Sequence, residues 1–210
     1  MARKRALVVI DVQNEYFGGG LPIEYPPVEQ TLPNIARAMD AARAAGVPVV
    51  VVQHTAPPQA PIFLRDTPNW ALHPEIASRP RDHYIEKHMA SVFAGTDFAD
   101  WIARNGIDTL AIAGYMTHNC DASTVYHAAH AGLHVEFLGD ATGALPYENA
   151  AGAASAEEIH RVFSVVFHSA FAVVMGTDEW IDALASGAES GPEGPYASNQ
   201  RALARRRQAA

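Results

Sequence analysis

The sequence holds one cysteine, Cys120, and places it where a helix should begin. The apolar run Thr109–Ala113 reads as a strand, Gly114–Asn119 as a turn, and residues 120–131 as a helix. A thiol in the first helical turn faces unpaired backbone N–H groups and the positive end of the helix dipole. Both favour the thiolate, so the expectation is a pKa below the free value of about 8.5. A lone cysteine is otherwise often a buried, inert side chain. The strand–turn–helix setting points instead to a nucleophile.

Two further residues have matching positions. Asp11 directly follows the apolar run Ala6–Ile10, and Lys87 follows the short strand-like segment His83–Glu86. The chain has 13 arginines but only two lysines, Lys4 and Lys87, so an internal lysine stands out. A carboxylate at the end of a buried strand needs a cation or hydrogen bonds, or it takes up a proton. Lys87 can be that cation if its strand lies alongside. A thiol nucleophile needs a base to take its proton and an acid to protonate the leaving group. Asp11 can fill both roles in turn, while Lys87 holds the thiolate and orients the carboxylate. Spacing alone leaves an ordinary structural Asp11–Lys87 ion pair as the alternative.

The surrounding elements set where these side chains fall. Ala6–Ile10, Val47–Val52, His83–Glu86, Thr109–Ala113, His134–Leu138 and Phe171–Met175 read as strands. Helices are expected over 34–45, ended near Gly46, and over 97–105, 120–131, 155–168 and 177–185. Ser155-Ala-Glu-Glu158 has the form of a capping box. Residues 55–82 carry several prolines and form a long loop with a short helix, a type of segment that is often functional. Buried strands alternating with helices predict an α/β, three-layer α/β/α single domain. Its mainly parallel, Rossmann-like sheet has five to six strands with helices on both faces. The domain spans 1–185. The Gly-, Pro- and Arg-rich tail 186–210 is expected to be mobile or packed on a neighbouring subunit. Ligands of such sheets bind beyond the carboxyl ends of the strands, where Asp11, Lys87 and Cys120 all fall.

Composition excludes several classes. A net charge of −8 argues against nucleic acid as a partner, and no apolar stretch approaches the ~20 residues that span a bilayer. One cysteine excludes an intrachain disulfide and, with a strand beginning near the N-terminus, points to the cytoplasm. Arg3-Lys-Arg5 and Arg205-Arg-Arg207 read as solvated basic ends. Gly18-Gly-Gly20 does not fit a dinucleotide fingerprint but could serve as a hinge.

Three motifs together resemble the isochorismatase-like cysteine hydrolases, relatives of nicotinamidase and N-carbamoylsarcosine amidohydrolase. They are Asp11-Val-Gln-Asn14, Glu86-Lys-His-Met-Ala-Ser-Val-Phe93 followed by Gly95-Thr-Asp97, and Gly114-Tyr-Met-Thr-His-Asn-Cys120. The resemblance runs from about residue 6 to 176. It implies a triad of Asp11, Lys87 and Cys120 that hydrolyses a C–N bond through a thioester. It also implies a non-proline cis peptide at Tyr115–Met116 that aims the amides of Met116 and Cys120 at the reacting carbonyl oxygen. Oligomers are usual in the family, so a homodimer or homotetramer is expected.

The chain departs from the family in two places. The nicotinamidase metal motif needs an Asp two residues before His54, and Val52 stands there; His54 and His73 alone are too few ligands, so neither metal nor any other cofactor is expected. The isochorismatases proper lack a cysteine nucleophile, so Cys120 groups this chain with the amidases. Position near the strand ends nominates Gln13, Phe17, His54, Trp70, Tyr115 and Asn119 as substrate-binding residues, with Trp70 able to close over a flat substrate. His118, His127 and His130 read as surface residues of the turn and helix. The expected function is hydrolysis of a small amide or ureido compound. The rivals are a hydrolase of a larger cyclic-amide natural product, a non-catalytic binding or regulatory protein, and a redox sensor, the last disfavoured by the lack of a second cysteine.

Overall fold

The computed structural model describes residues 3–208. Its first element, β1 (Arg5–Ile10), is buried along its whole length, as a run of Ala, Leu, Val and Ile requires. The short α1 (Glu15–Gly18) and long α2 (Val28–Ala44) follow, then β2 (Val49–His54), the short α3 (Pro74–Ala77), β3 (His83–Lys87) and α4 (Phe98–Asn105). β4 (Thr109–Tyr115) leads through a π-helical turn at Thr117–Asp121 into α5 (Ala122–His130). β5 (His134–Gly143), the hairpin β6 (Tyr147–Asn149) and β7 (Gly152–Ala154), α6 (Ala156–Ala170), β8 (Val173–Met175), α7 (Thr177–Ser186) and α8 (Pro195–Gln208) complete the chain.

The six-stranded sheet has the order β3-β2-β1-β4-β5-β8, and every pairing is parallel. Alternate residues supply its two cores. Val8, Ile10, Val52 and Ile112 pack with Phe98, Val125 and Phe167 on one face. Leu7, Val9, Val51 and Ala111 pack with Ile35, Met39 and Trp180 on the other. The chain winds outward from β1 through β2 to β3, then returns to β4 and winds the opposite way. β1 and β4 therefore flank the point where a crevice opens at the carboxyl edge. Asp11 leaves β1 and the Cys120 turn leaves β4 at that point.

Gly114 lets those two strand ends meet. Its φ is 116°, and the β4–β5 register slips between Ile112 and Gly114. A Cβ there would lie 2.1 Å from the Ile10 carbonyl oxygen and 2.6 Å from the Ile10 nitrogen, both rigid backbone atoms. Gly114→Ala is expected to cost at least about 1–3 kcal/mol and to separate Asp11 from Cys120. Denaturant unfolding and activity should both fall; an unchanged midpoint would show that β1 yields freely.

Several boundaries differ from the sequence reading for physical reasons. α2 begins at Val28, not Asn34. It absorbs Pro33 because Thr31, Ile35, Ala38, Met39 and Ala42 form a buried face that outweighs one missing hydrogen bond. β5 continues five residues past Leu138 alongside β4. The exposed β6–β7 hairpin has no apolar alternation to announce it. The capping box at Ser155 and Glu158 forms as expected.

The two ends also differ from expectation. Arg5 is not solvated: it makes a buried bidentate pair with Glu136, which also accepts a hydrogen bond from Trp180 Nε1 at 2.8 Å. Arg3 and Arg5 donate to the Ser190 and Ala188 carbonyls, which ties the start of the tail to the sheet. The Glu193 amide then bonds the His168 carbonyl, and residues 195–208 form α8 beside α6. This helix has no buried residue, and Arg205–Arg207 are exposed as expected.

Candidate active site

Asp11 is wholly buried, in left-handed backbone with φ 52°. Few non-glycine residues adopt that conformation, Asp among the more tolerant, and it tends to occur where function fixes the backbone. Its amide donates to the Val52 carbonyl at 3.0 Å, which pins the residue to the end of β2. Lys87 ends β3, which does not lie alongside β1: β2 stands between them. Two strand spacings are roughly 10 Å, a gap that the long lysine side chain helps to bridge. Its Nζ lies 2.7 Å from Asp11 Oδ2 and donates to Cys120 Sγ at 3.1 Å, with both charged side chains sealed from solvent.

Cys120 sits in the π-helical turn, and the Thr124 hydroxyl, one turn on, bonds its carbonyl at 2.7 Å. The preceding Tyr115–Met116 peptide is cis, as the family resemblance implied. The Met116 carbonyl accepts from the amides of Asn119 and Asp121, which closes the turn.

The thiol does not have the expected acidity. Burial pushes the Cys120 pKa up, Asp11 adds to the rise, and Lys87 only partly opposes it. Five per cent exposure and an adjacent carboxylate outweigh a helix terminus. Lys87 behaves oppositely. Burial alone would lower it, but Asp11 and Cys120 hold its pKa above the ordinary value, so it remains an ammonium. The site therefore joins a protonated thiol to an ammonium that also meets the Asp11 side chain.

Asp121, next to Cys120 in the chain, is another buried carboxyl that the sequence reading passed over. Neither of its oxygens finds a partner among the described residues. Burial raises its pKa well above the ordinary 3.8, and Asp11 adds while Lys87 opposes, so it is held as the neutral acid. A carboxyl whose pKa rises on folding binds its proton more tightly in the folded state. That stabilisation is complete below the unfolded value and is lost as pH rises through the folded one. Asp121→Asn imitates the neutral acid. It should gain on the wild type by about 1.4 kcal/mol per pH unit above pH ~4, until the folded pKa is reached. Unfolding midpoints between pH 5 and 8 would show this, and parallel curves would mean that Asp121 ionises in the fold.

An isochorismatase domain model matches residues 5–179 of the chain. The chain belongs to the isochorismatase family. Among solved structures, a Burkholderia xenovorans LB400 protein assigned as an isochorismatase is 63% identical, with a TM-score of 0.96 over 98% of this chain and 99% of that one. The secreted isochorismatase effector Isc1 of Verticillium dahliae is 33% identical over 65% of this chain and 71% of its own. The N-carbamoylsarcosine amidase of an Arthrobacter species is 31% identical over 61% of this chain and 55% of its own. This isochorismatase-family chain has the family's three-layer fold, and among the described residues no helix is long and apolar enough to cross a membrane.

A cavity of about 380 Å³ opens on Cys120. Of the nominated residues, His54 and Asn119 line it. Gln13, Phe17, Trp70 and Tyr115 do not, and each has other work. Gln13 clamps β2 and the long loop: its amide nitrogen donates to the His54 and Trp70 carbonyls, and its oxygen accepts from the His54 amide. Trp70 is no free lid, since its Nε1 bonds Thr55 and the Arg65 guanidinium lies 5.6 Å from its ring. Phe17 packs between His73 and Tyr115, and the Tyr115 hydroxyl shares a 2.7 Å hydrogen bond with Thr31. The walls that sequence reasoning missed are Tyr16, Leu21, Ala56, Ala90 and the segment 60–63. Tyr16, two residues before the glycine run, carried the one usable signal.

Other residues find structural roles. The glycine run is no open hinge: the Gly20 amide bonds the buried Glu15 carboxylate, and a Cβ at Gly19 would overlap Glu15. His73 caps α3 by accepting from the Glu75 amide. Among the described residues no three His, Cys, Asp or Glu side chains gather as a metal site would require. His118 is not a surface residue: both its ring nitrogens are buried, edge-on to Tyr147, and burial with His160 pushes it down to about 4. His127 stacks on Phe93, while His130 lies near the Phe171 ring.

Proposed function

We propose that this isochorismatase-family protein is a cysteine-dependent hydrolase. It would cleave the C–N bond of a small amide or ureido compound and release ammonia or an amine. The observation that carries the reading is the sealed chain from Asp11 through Lys87 to Cys120, whose thiol-bearing end lines the cavity. A plain structural ion pair would not need a thiol on the same ammonium.

In the proposed cycle the thiol proton passes to Asp11 as Sγ bonds the substrate carbonyl carbon. Lys87 steadies the sulfur while negative charge develops on the carbonyl oxygen. The amides of Met116 and Cys120 are assigned to that oxygen, each typically worth about 3 kcal/mol. Asp11 returns the proton to the leaving nitrogen as the C–N bond breaks. Water then gives a proton to Asp11 and its oxygen to the thioester carbon. The C–S bond breaks, and the thiol is restored with the proton from Asp11. The raised pKa of Cys120 favours proton transfer to Asp11 in concert with attack.

The cavity volume lies near the lower end of ligand sites, which favours a small substrate over a bulky cyclic amide. N-carbamoylsarcosine amidase, by its name, acts on a ureido compound, which supports the same class. The working assembly in this proposal is a homodimer or homotetramer, supported by the exposed Val162, Val165 and Val166 on α6. The test is ammonia release from small amides and ureas by wild type and Cys120→Ala, with and without chelator. Turnover by wild type alone is expected. Turnover retained without the thiol would remove Cys120 from the mechanism.

A further inference from the structure

The cavity says more about its substrate than its size does. Its walls come from α1, the end of β2, the long loop after β2 and the turn that carries Cys120. Leu21, Ala56, Pro61, Ile62, Phe63 and Ala90 present hydrocarbon. The lining residues with polar side chains are few: Tyr16, His54, Asn119 and Cys120 itself.

None of these carries a charge. Burial holds the Tyr16 phenol protonated, with Cys120 and Asp11 acting the same way. Burial and Lys87 both lower the His54 pKa, against a smaller opposing effect of Asp11, so the ring is neutral at pH 7. His54 Nδ1 is buried without a partner, and the ring meets Phe63 edge-on at 5.4 Å.

No arginine or lysine is among the residues lining the cavity. Lys87 lies behind Cys120, engaged by Asp11 and by the thiol, and its side chain has no exposed surface. Arg65 is paired with Glu86 and lies over the Trp70 ring. A carboxylate entering this space would lose its hydration and meet no cation. That cost falls on a charged ligand and not on a neutral one of the same shape.

We infer that the site selects uncharged amides with a small apolar acyl group and rejects carboxylate-bearing amides and ureas such as N-carbamoyl amino acids. The inference rests on the amidase reading above and narrows it. It separates this chain from a relative whose named substrate, N-carbamoylsarcosine, carries a carboxylate.

A matched pair tests it. 4-Methylpentanamide and succinamate differ by an isopropyl group in place of a carboxylate of nearly the same shape. Ammonia release by wild type should favour 4-methylpentanamide by at least about a hundredfold in kcat/KM, with N-carbamoylsarcosine as poor as succinamate. Calorimetry with Cys120→Ala should show the same order in binding, which does not depend on turnover. Leu21 and Ile62 are only partly buried, so Leu21→Arg or Ile62→Arg can be accommodated. Either should narrow the preference or reverse it by supplying the missing cation.

Equal or tighter binding of succinamate, or binding of neither compound, would overturn the inference. Turnover of succinamate ahead of 4-methylpentanamide would overturn it while leaving the amidase reading intact. A preserved binding preference without ammonia release from either would do the reverse, sinking the amidase reading and sustaining the neutral-amide site.

Discussion

Asp11→Asn is expected to remove amide turnover as completely as Cys120→Ala while making the Cys120 thiol more acidic. The two effects usually travel in opposite directions, which makes the pair diagnostic. Asp11 raises the thiol pKa and Lys87 lowers it. Neutralising Asp11 leaves the ammonium 3.1 Å from sulfur without its opponent. The pH profile of alkylation should therefore move to lower pH, cleanly readable because Cys120 is the only cysteine. Turnover should still vanish. In the proposed cycle the carboxylate moves a proton at attack, at departure of the nitrogen and again at hydrolysis, and residues that act as a unit fail together. Asparagine keeps the shape and tolerates the φ of 52° at this position. Retained turnover, or a profile moved to higher pH, would show that Asp11 is not the base facing the thiol.

Lys87→Met should be the most destabilising of the changes considered. The substitution keeps the length and removes the charge, leaving the Asp11 carboxylate fully buried with no cation. Among the described residues no hydrogen-bond donor takes the place of Nζ. Breaking a buried pair in this way costs about 3–5 kcal/mol, a large share of the ~5–15 kcal/mol that holds a domain together. Adding Asp11→Asn to Lys87→Met removes the stranded charge and should restore much of the loss. Denaturant midpoints of the two single variants and the double variant would measure the coupling. A double variant less stable than Lys87→Met would show that packing, not charge, dominates the site. Neither Lys87→Met nor the double variant should turn over amides.

The strands were legible because their signal is local. Ala6–Ile10, Val47–Val52 and Thr109–Ala113 are continuous apolar runs bounded by turns, and such runs can hardly be anything but buried parallel strands. Their alternation with helices determined the three-layer class, and ligand binding at strand ends then pointed to Asp11, Lys87 and Cys120. Elements without periodicity escaped. The β6–β7 hairpin is exposed on both strands, and α2 passes through a proline that local rules treat as a boundary. The pocket walls escaped for a different reason: they come from the long loop and α1, whose meeting depends on Gln13 and Glu15 bridging segments 40 to 60 residues apart.

By itself, then, the sequence determined the class of fold and the three residue types that can carry chemistry, since both follow from local patterns of hydrophobicity and position along a strand. Tertiary structure decided everything that depends on burial and distance. It placed Lys87 across an intervening strand, because only the order of strands in the sheet fixes that gap. It reversed the expected acidity of Cys120, because desolvation and a neighbouring carboxylate act through space and outweigh the helix terminus that the sequence could show. It also left the cavity without a lining arginine or lysine, because Lys87 is sealed behind the thiol with Asp11 and Arg65 is paired with Glu86.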